Sequence, residues 1–490
     1  MTTMSRAART SDTHTRRWRR CAAVALVAAI AGPAGPLPHP SVHAAPVTVE
    51  VVSINDDGSP AAAYSNFMDV SAGGDVLYNA IGRGLMIRSG STSTQVFGGA
   101  DWYVARAGIS DNGRYVAWVT NTNVIGGNPD SLASVVVLDR SDNTLDHLIT
   151  LGVTTYQFES VSQIDISDDG RYVVFDTIRA LDPLDTNDVS DVYRFDRTDD
   201  SIDWVSISPT GVVPDGLSRD SRMTPDGRMV VFGSDATNLV ADDTNAITDV
   251  FVWTAPYESG HGPAPRGWVQ RVTTDATGGQ LTLPAYYGGD LSDSGRYVVF
   301  ASSDWALDPQ TFIHAVYRKD LYTGTLESAT NQPGGYSTSG RYPTISADGW
   351  VVAYEGDWTR RLTGQQGSHP QMMATDFVSG DVELLSRTPA GDTGNGQTTY
   401  GVITPDGSSV LASSFATDLA PVNGANWVVV RMQRHPDPLP VAVGTGTDGL
   451  AAFTAATAGE TIDPVGFDSS GLSDGQDLST TYAAHGLTLT

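Results

Sequence analysis

A nine-residue phrase recurs along this chain and limits the folds open to it. Ser292-Asp293-Ser294-Gly295-Arg296-Tyr297-Val298-Val299-Phe300 is one copy, and Ser110 to Trp118, Ser167 to Phe175 and Thr224 to Phe232 are others. Weaker copies centre on Gly74, Gly349 and Gly407. The turn glycines Gly74, Gly113, Gly170, Gly227, Gly295, Gly349 and Gly407 are spaced by 39, 57, 57, 68, 54 and 58 residues. A period of tens of residues marks a repeat architecture. Each copy reads as a tight turn, where Asp-Gly or Asn-Gly tolerates positive φ, followed by a short apolar strand. Tyr172 to Phe175 is apolar without alternation. Successive strand residues point to opposite faces, so this strand must be buried on both.

Each unit parses into four strands. In the third they are Ser162 to Ile166, Arg171 to Asp176, Asp191 to Asp196 and Ile202 to Ile207. The fourth repeats the pattern with Asp249 to Trp253 and Trp268 to Val272. Seven four-stranded antiparallel sheets, each covered on both faces, predict an all-β, seven-bladed β-propeller. The seventh unit has a third strand at Trp427 to Met432 but then runs into Pro436, Pro438 and Pro440, which cannot continue a ladder. A spare strand, Val49 to Asn55, resembles the fourth strands at Ile202 to Ser208 and Val382 to Thr388. The N-terminal strand is therefore expected to close the last blade.

Outside the repeats the chain changes character. Four arginines, Arg16, Arg17, Arg19 and Arg20, precede an apolar run, Cys21 to Ile30, and a small-x-small site at Val42-His43-Ala44. This reads as a signal peptide over 1–44, sent by the general secretory route. The expected protein is secreted, periplasmic or on the cell surface. The propeller spans 45–434, a linker 435–459, and a β-prone tail 460–490 that resembles the opening of a jelly-roll-like module. Cleavage removes the only cysteine, Cys21, so the mature chain has no disulfide or thiol chemistry. No later segment is long and apolar enough to cross a membrane. Cleavage also removes six arginines and one aspartate, taking 29 basic and 56 acidic residues to 23 and 55, a net charge of −32. That excludes nucleic acid and anionic lipid as expected partners. Only seven of the acids are glutamate, and aspartate suits turns.

The repeat phrase, followed by Asp191-Val192-Tyr193-Arg194-Phe195-Asp196, resembles the WD-like repeat of TolB-type propellers over residues 47 to 434. The resemblance implies a propeller fold and leaves function open. That family includes periplasmic scaffolds, and similar blades occur as gating domains on peptidases. This chain departs from TolB itself in having seven units and no evident N-terminal α/β domain.

Two loops carry the clearest candidate for chemistry. Asp185, Asn187 and Asp191 match Asp243, Asn245 and Asp249 in an Asp-x-Asn-x-x-x-Asp pattern, with a degenerate form at Asn128, Asp130 and Ser134. Closely spaced hard oxygens can supply several calcium ligands, although the glycine and terminal glutamate of an EF-hand are missing. The competing reading is a network of Asx-turns that orders each loop. Gly471 to Gly475 spells Gly-x-Ser-x-Gly without the strand and helix that a nucleophile elbow needs. His147, His261, His314, His369, His435 and His485 form no metal-site spacing. Trp102, Trp305 and Trp358 suit either sugar stacking or packing between blades. The expectation is a monomeric, non-enzymatic scaffold for an unidentified protein or envelope polysaccharide, possessing no cofactor beyond calcium. The alternative is an extracellular hydrolase or lyase with acids in the central channel.

Overall fold

The computed structural model describes residues 47–434 apart from 56, 60–63, 99–103, 122–131, 152–160, 257–265, 305–306, 308–313, 333–335, 338, 357–368 and 421–426; beyond them it describes 461–462 and 488–489. The signal peptide, the linker, Asn128, Asp130, His261, His435, His485, Gly471 to Gly475 and the three tryptophans Trp102, Trp305 and Trp358 lie outside the described residues. The tail contributes a two-residue parallel pair, Thr461–Ile462 with Thr488–Leu489.

Seven four-stranded antiparallel sheets follow one another, as the repeat predicts. Blade 1 comprises Ser65–Val70, Val76–Ala80, Gly84–Ser89 and Thr92–Phe97. Blade 7 comprises Thr398–Ile403, Ser409–Ser414, Val428–Gln433 and the N-terminal strand Thr48–Val51. That strand pairs Thr48 with Gln433 and Val51 with Val430, which closes the ring. The second strands Tyr115–Thr120, Tyr297–Ser302 and Val351–Gly356 are buried throughout, because each lies inside a blade with a neighbour on either face.

The phrase holds neighbouring blades together as well as turning the chain. Its glycines have φ between 67° and 82°. A side chain on Gly227 would meet the Tyr172 ring of the preceding blade at 2.4 Å, and one on Gly349 would meet Tyr297 at 2.3 Å. The turn residue is thus bound to be glycine twice over, by conformation and by contact. In six of the seven turns the leading hydroxyl takes a backbone N–H five residues on, as Ser167 Oγ does from Tyr172 N at 2.9 Å and Ser292 Oγ from Tyr297 N at 3.1 Å; in blade 1 Ser71 Oγ takes that of Asp75, four residues on. Third-strand arginines reach across the seam: Arg194 lies over the rings of Tyr172 and Trp253, and Arg318 Nη1 donates to Gly349 O at 2.6 Å.

The first strand of each blade is innermost, and these strands pack around a central channel. The phrase turns lie at one end of it. The loops from second to third strand and the links between blades lie at the other, as the strand directions require.

Candidate functional site

One position per blade faces the middle of the channel, two residues before the phrase's Ser or Thr. It is filled by Asp69, Gly108, Asp165, Arg222, Asp290, Thr344 and Val402. Four of these side chains fasten the next blade. Asp69 Oδ2 accepts from Ile109 N at 2.9 Å, Asp165 Oδ2 from Met223 N at 3.0 Å, Asp290 Oδ2 from Ile345 N at 3.0 Å and Thr344 Oγ1 from Ile403 N at 3.1 Å. Arg222 is the cation among the three acids. With the Gln163 amide turned so that its oxygen faces the guanidinium, Gln163 Oε1 accepts from Arg222 Nη2 at 3.0 Å. Burial pushes all three carboxyls up, Asp165 to about 7, against the pull of Arg222. At the narrow end a cavity of about 90 Å³ is lined by these acids and by Asp111 and Asp293 of the phrase turns. Burial, and then repulsion from neighbouring carboxylates, push Asp111 up to about 8 and Asp293 to about 6.

The wide end is built differently. Two adjoining cavities, of about 740 and 750 Å³, share Arg106, Ser162, Asp220, Tyr342 and Tyr400. Six inner strands shift register, and four of them bulge over two residues here, between Arg219 and Arg222, Tyr286 and Gly289, Arg341 and Thr344, and Thr399 and Val402. Each bulge holds one residue in the left-handed region: Asp220 at φ 57°, Gly288 at 57°, Tyr342 at 49° and Tyr400 at 55°. A bulky residue rarely adopts this conformation, and such strain collects at functional sites. Only glycine fits at 288, where a Cβ would lie 2.7 Å from Asp220 Cβ.

The bulges bring polar and aromatic groups to the mouth. Tyr342 and Tyr400 pack with ring centroids 5.1 Å apart, and Tyr400 is 59% exposed. Arg219, 51% exposed, has its Nε 3.8 Å from Asp220 Oδ2. Arg106 Nε donates to Ser162 O at 2.6 Å, while Ser162 Oγ donates to Asp176 Oδ1 and accepts from Asp220 N, both at 2.8 Å. Large apolar side chains exposed on this end include Ile81, Ile178, Leu184, Leu283 and Phe415, whereas Tyr322 and Val378 lie at the opposite end.

The six residues of the Asp/Asn loops sit on this end too, away from the channel. Asn187 Nδ2 donates to Asp191 Oδ2 at 2.9 Å, and Asp191 Oδ1 accepts from Trp204 Nε1 at 3.0 Å and Ser206 Oγ at 2.6 Å. Asp185 Oδ2 accepts from the Tyr193 hydroxyl. In blade 4, Asn245 Nδ2 donates to Leu281 O at 2.8 Å, Asp249 Oδ1 accepts from Thr273 Oγ1, and Asp243 Oδ1 accepts from Gln280 Nε2 at 2.9 Å. Phe251 stands where blade 3 has Tyr193, so Asp243 Oδ2 finds no partner among the described residues. Arg271 Nη1 lies 3.8 Å from Asp243 Oδ1. His314 sits at the edge of blade 5, its Nδ1 2.7 Å from Ser303 Oγ and its ring against Tyr286.

No family profile matches the sequence, and no curated protein does. Among solved structures, TolB from Acinetobacter baumannii is 14% identical, with 65% of each chain covered and a TM-score of 0.36. The chain thus spans just under two thirds of that protein's length. In both sequence phrase and sheet order, the seven blades are of one kind. In fold the chain is a seven-bladed β-propeller. Oligogalacturonate lyase from Vibrio parahaemolyticus is 13% identical over 80% of this chain and 98% of its own, with a TM-score of 0.47. The propeller domain of the Trilobed protease from Pyrococcus furiosus is 8% identical over 76% and 96%, with a TM-score of 0.46. Likeness at these levels concerns fold alone.

The channel residues of this propeller escaped the reading of single motifs. Aligning the phrase copies would have found them, since charged residues at a fixed offset before Ser or Thr stand out as Asp69, Asp165, Arg222 and Asp290. The tyrosines share an offset too, four residues before Ser346 and Thr404, but the bulge that exposes them is set by packing among the inner strands.

Proposed function

We propose that the protein is an exported, non-enzymatic binding scaffold whose recognition site is the wide mouth of its channel. One observation carries this: two tyrosines in adjacent blades, Tyr342 and Tyr400, are held in the left-handed region and presented together at the mouth. Tyr400 is exposed and Tyr342 half-buried, and rigid amphipathic rings are effective contact groups. The alternative of a hydrolase or lyase with channel acids has less support, since Asp69, Asp165 and Asp290 each carry a hydrogen bond between blades. Co-sedimentation with isolated cell envelope from the source organism tests the proposal. Tyr342→Ala/Tyr400→Ala is expected to weaken binding at least tenfold, roughly the loss of one or two aromatic contacts. Tyr322→Ala, at the other end, leaves it unchanged. The reverse pattern would sink the proposal.

Calcium belongs to the proposal only at the blade-4 loop, where the unpartnered Asp243 Oδ2 gives a cation something to satisfy. A bound ion stabilises the folded state by mass action, so excess calcium should raise the melting temperature and a chelator lower it. Asp243→Asn should abolish the difference. Identical melts in calcium and chelator rule the ion out.

A further inference from the structure

The lining of the mouth says what kind of ligand it takes. Beside the tyrosine pair, the walls carry Asn66, Asn79, Gln163 and Asp220, planar groups that donate or accept in pairs, as adjacent sugar hydroxyls require. An apolar ligand would leave these groups desolvated and unpaired, which is costly. The cavity of about 740 Å³ shares five lining residues with a second of similar size, which suits an extended oligomer more than a compact molecule.

Charge narrows the class further. The chain carries a net charge of −27, yet Arg106 and Arg219 are both exposed at this mouth, with Arg222 at its floor. Among the described residues Arg219 has only the 3.8 Å approach of Asp220 to offset it, a separation too long for a hydrogen bond. Guanidinium is shaped for bidentate recognition of carboxylate. Repulsion from distant surface acids is screened within about 8 Å at physiological salt, so the groups at the mouth decide. Resting on the reading of the mouth as the recognition site, we propose that its ligand is a carboxylate-bearing oligosaccharide, a uronic-acid polymer segment. Its ring faces stack on Tyr342 and Tyr400, and one of its carboxylates pairs with Arg219.

Calorimetric titration with tetramannuronate and with mannotetraose, which differ only in the C6 carboxylate, tests this. The full chain is expected to bind the uronate at least tenfold more tightly than the neutral tetramer. Arg219→Gln should weaken the uronate about tenfold while leaving the neutral tetramer unchanged, and Tyr342→Ala/Tyr400→Ala should weaken both. Each variant's melting curve confirms that it is folded. Equal affinity for the two tetramers, or an Arg219→Gln variant with undiminished preference, overturns the carboxylate assignment. If neither sugar binds while envelope binding stays sensitive to the tyrosines, the saccharide class is overturned and the mouth remains the site. Loss of neither sugar nor envelope binding in the tyrosine variant removes the site itself.

Discussion

A chain that begins at residue 56 should melt at least 10 °C below one that begins at residue 45. The N-terminal strand buries Val47 and Val52 and half-buries Val49 and Val51 against blade 7. Val52 N donates to Val429 O at 2.8 Å, and Val429 N donates to Ser53 Oγ at 3.0 Å. Ile54 O then accepts from Ser93 Oγ of blade 1 at 2.7 Å, so the same segment bridges the first and last blades. Four apolar side chains, two of them half-exposed, at ~1–3 kcal/mol each, amount to about 5 kcal/mol. For a domain above 150 residues each kcal/mol moves the midpoint by roughly 2 °C or more. Scanning calorimetry on the two chains decides the matter. A shared midpoint would mean that the ring holds without its closing strand.

Arg222→Leu is expected to destabilise the propeller by about 3–5 kcal/mol at pH 8, the cost of leaving buried acids without their cation. Asp69, Asp165 and Asp290 would then line their cavity with no cation among the described residues beside them. The pH dependence identifies the cause. A carboxyl whose folded pKa is raised contributes stability that is fully present below about pH 4 and lost as pH rises through the folded value. In the native protein that loss falls near pH 7 for Asp165. Without Arg222 all three pKa values rise further, so the variant loses more than the native chain on going from pH 5 to pH 8. Urea unfolding at both pH values should show a smaller penalty at pH 5. An equal penalty at the two would assign the effect to lost packing and not to charge.

These two results concern features that differ in how far the sequence reveals them. The closing strand was legible because blade 7 ends in prolines and Val49 to Asn55 reads like a fourth strand. Its pairing with Val428–Gln433 follows from the period-2 geometry of strands, which any apolar run in register satisfies. The partnership of Arg222 with three acids was hidden because the four residues are 57 to 221 positions apart in sequence. They meet only because the ring brings one offset from every repeat to a common axis. The Asp/Asn loops were visible as a pattern. Whether each oxygen has a partner depended on whether a tyrosine or a phenylalanine stood eight residues on, at Tyr193 and Phe251.

Sequence alone determined the number of blades, the strand order within them and the means of closure. Those properties rest on local turn chemistry and on two-sided burial, and both are written into nine consecutive residues. The tertiary structure alone decided where charge converges and which aromatics are presented. Asp69, Arg222, Tyr342 and Tyr400 owe their roles to neighbours in other blades, through contacts across the channel and bulges that arise where inner strands crowd one another.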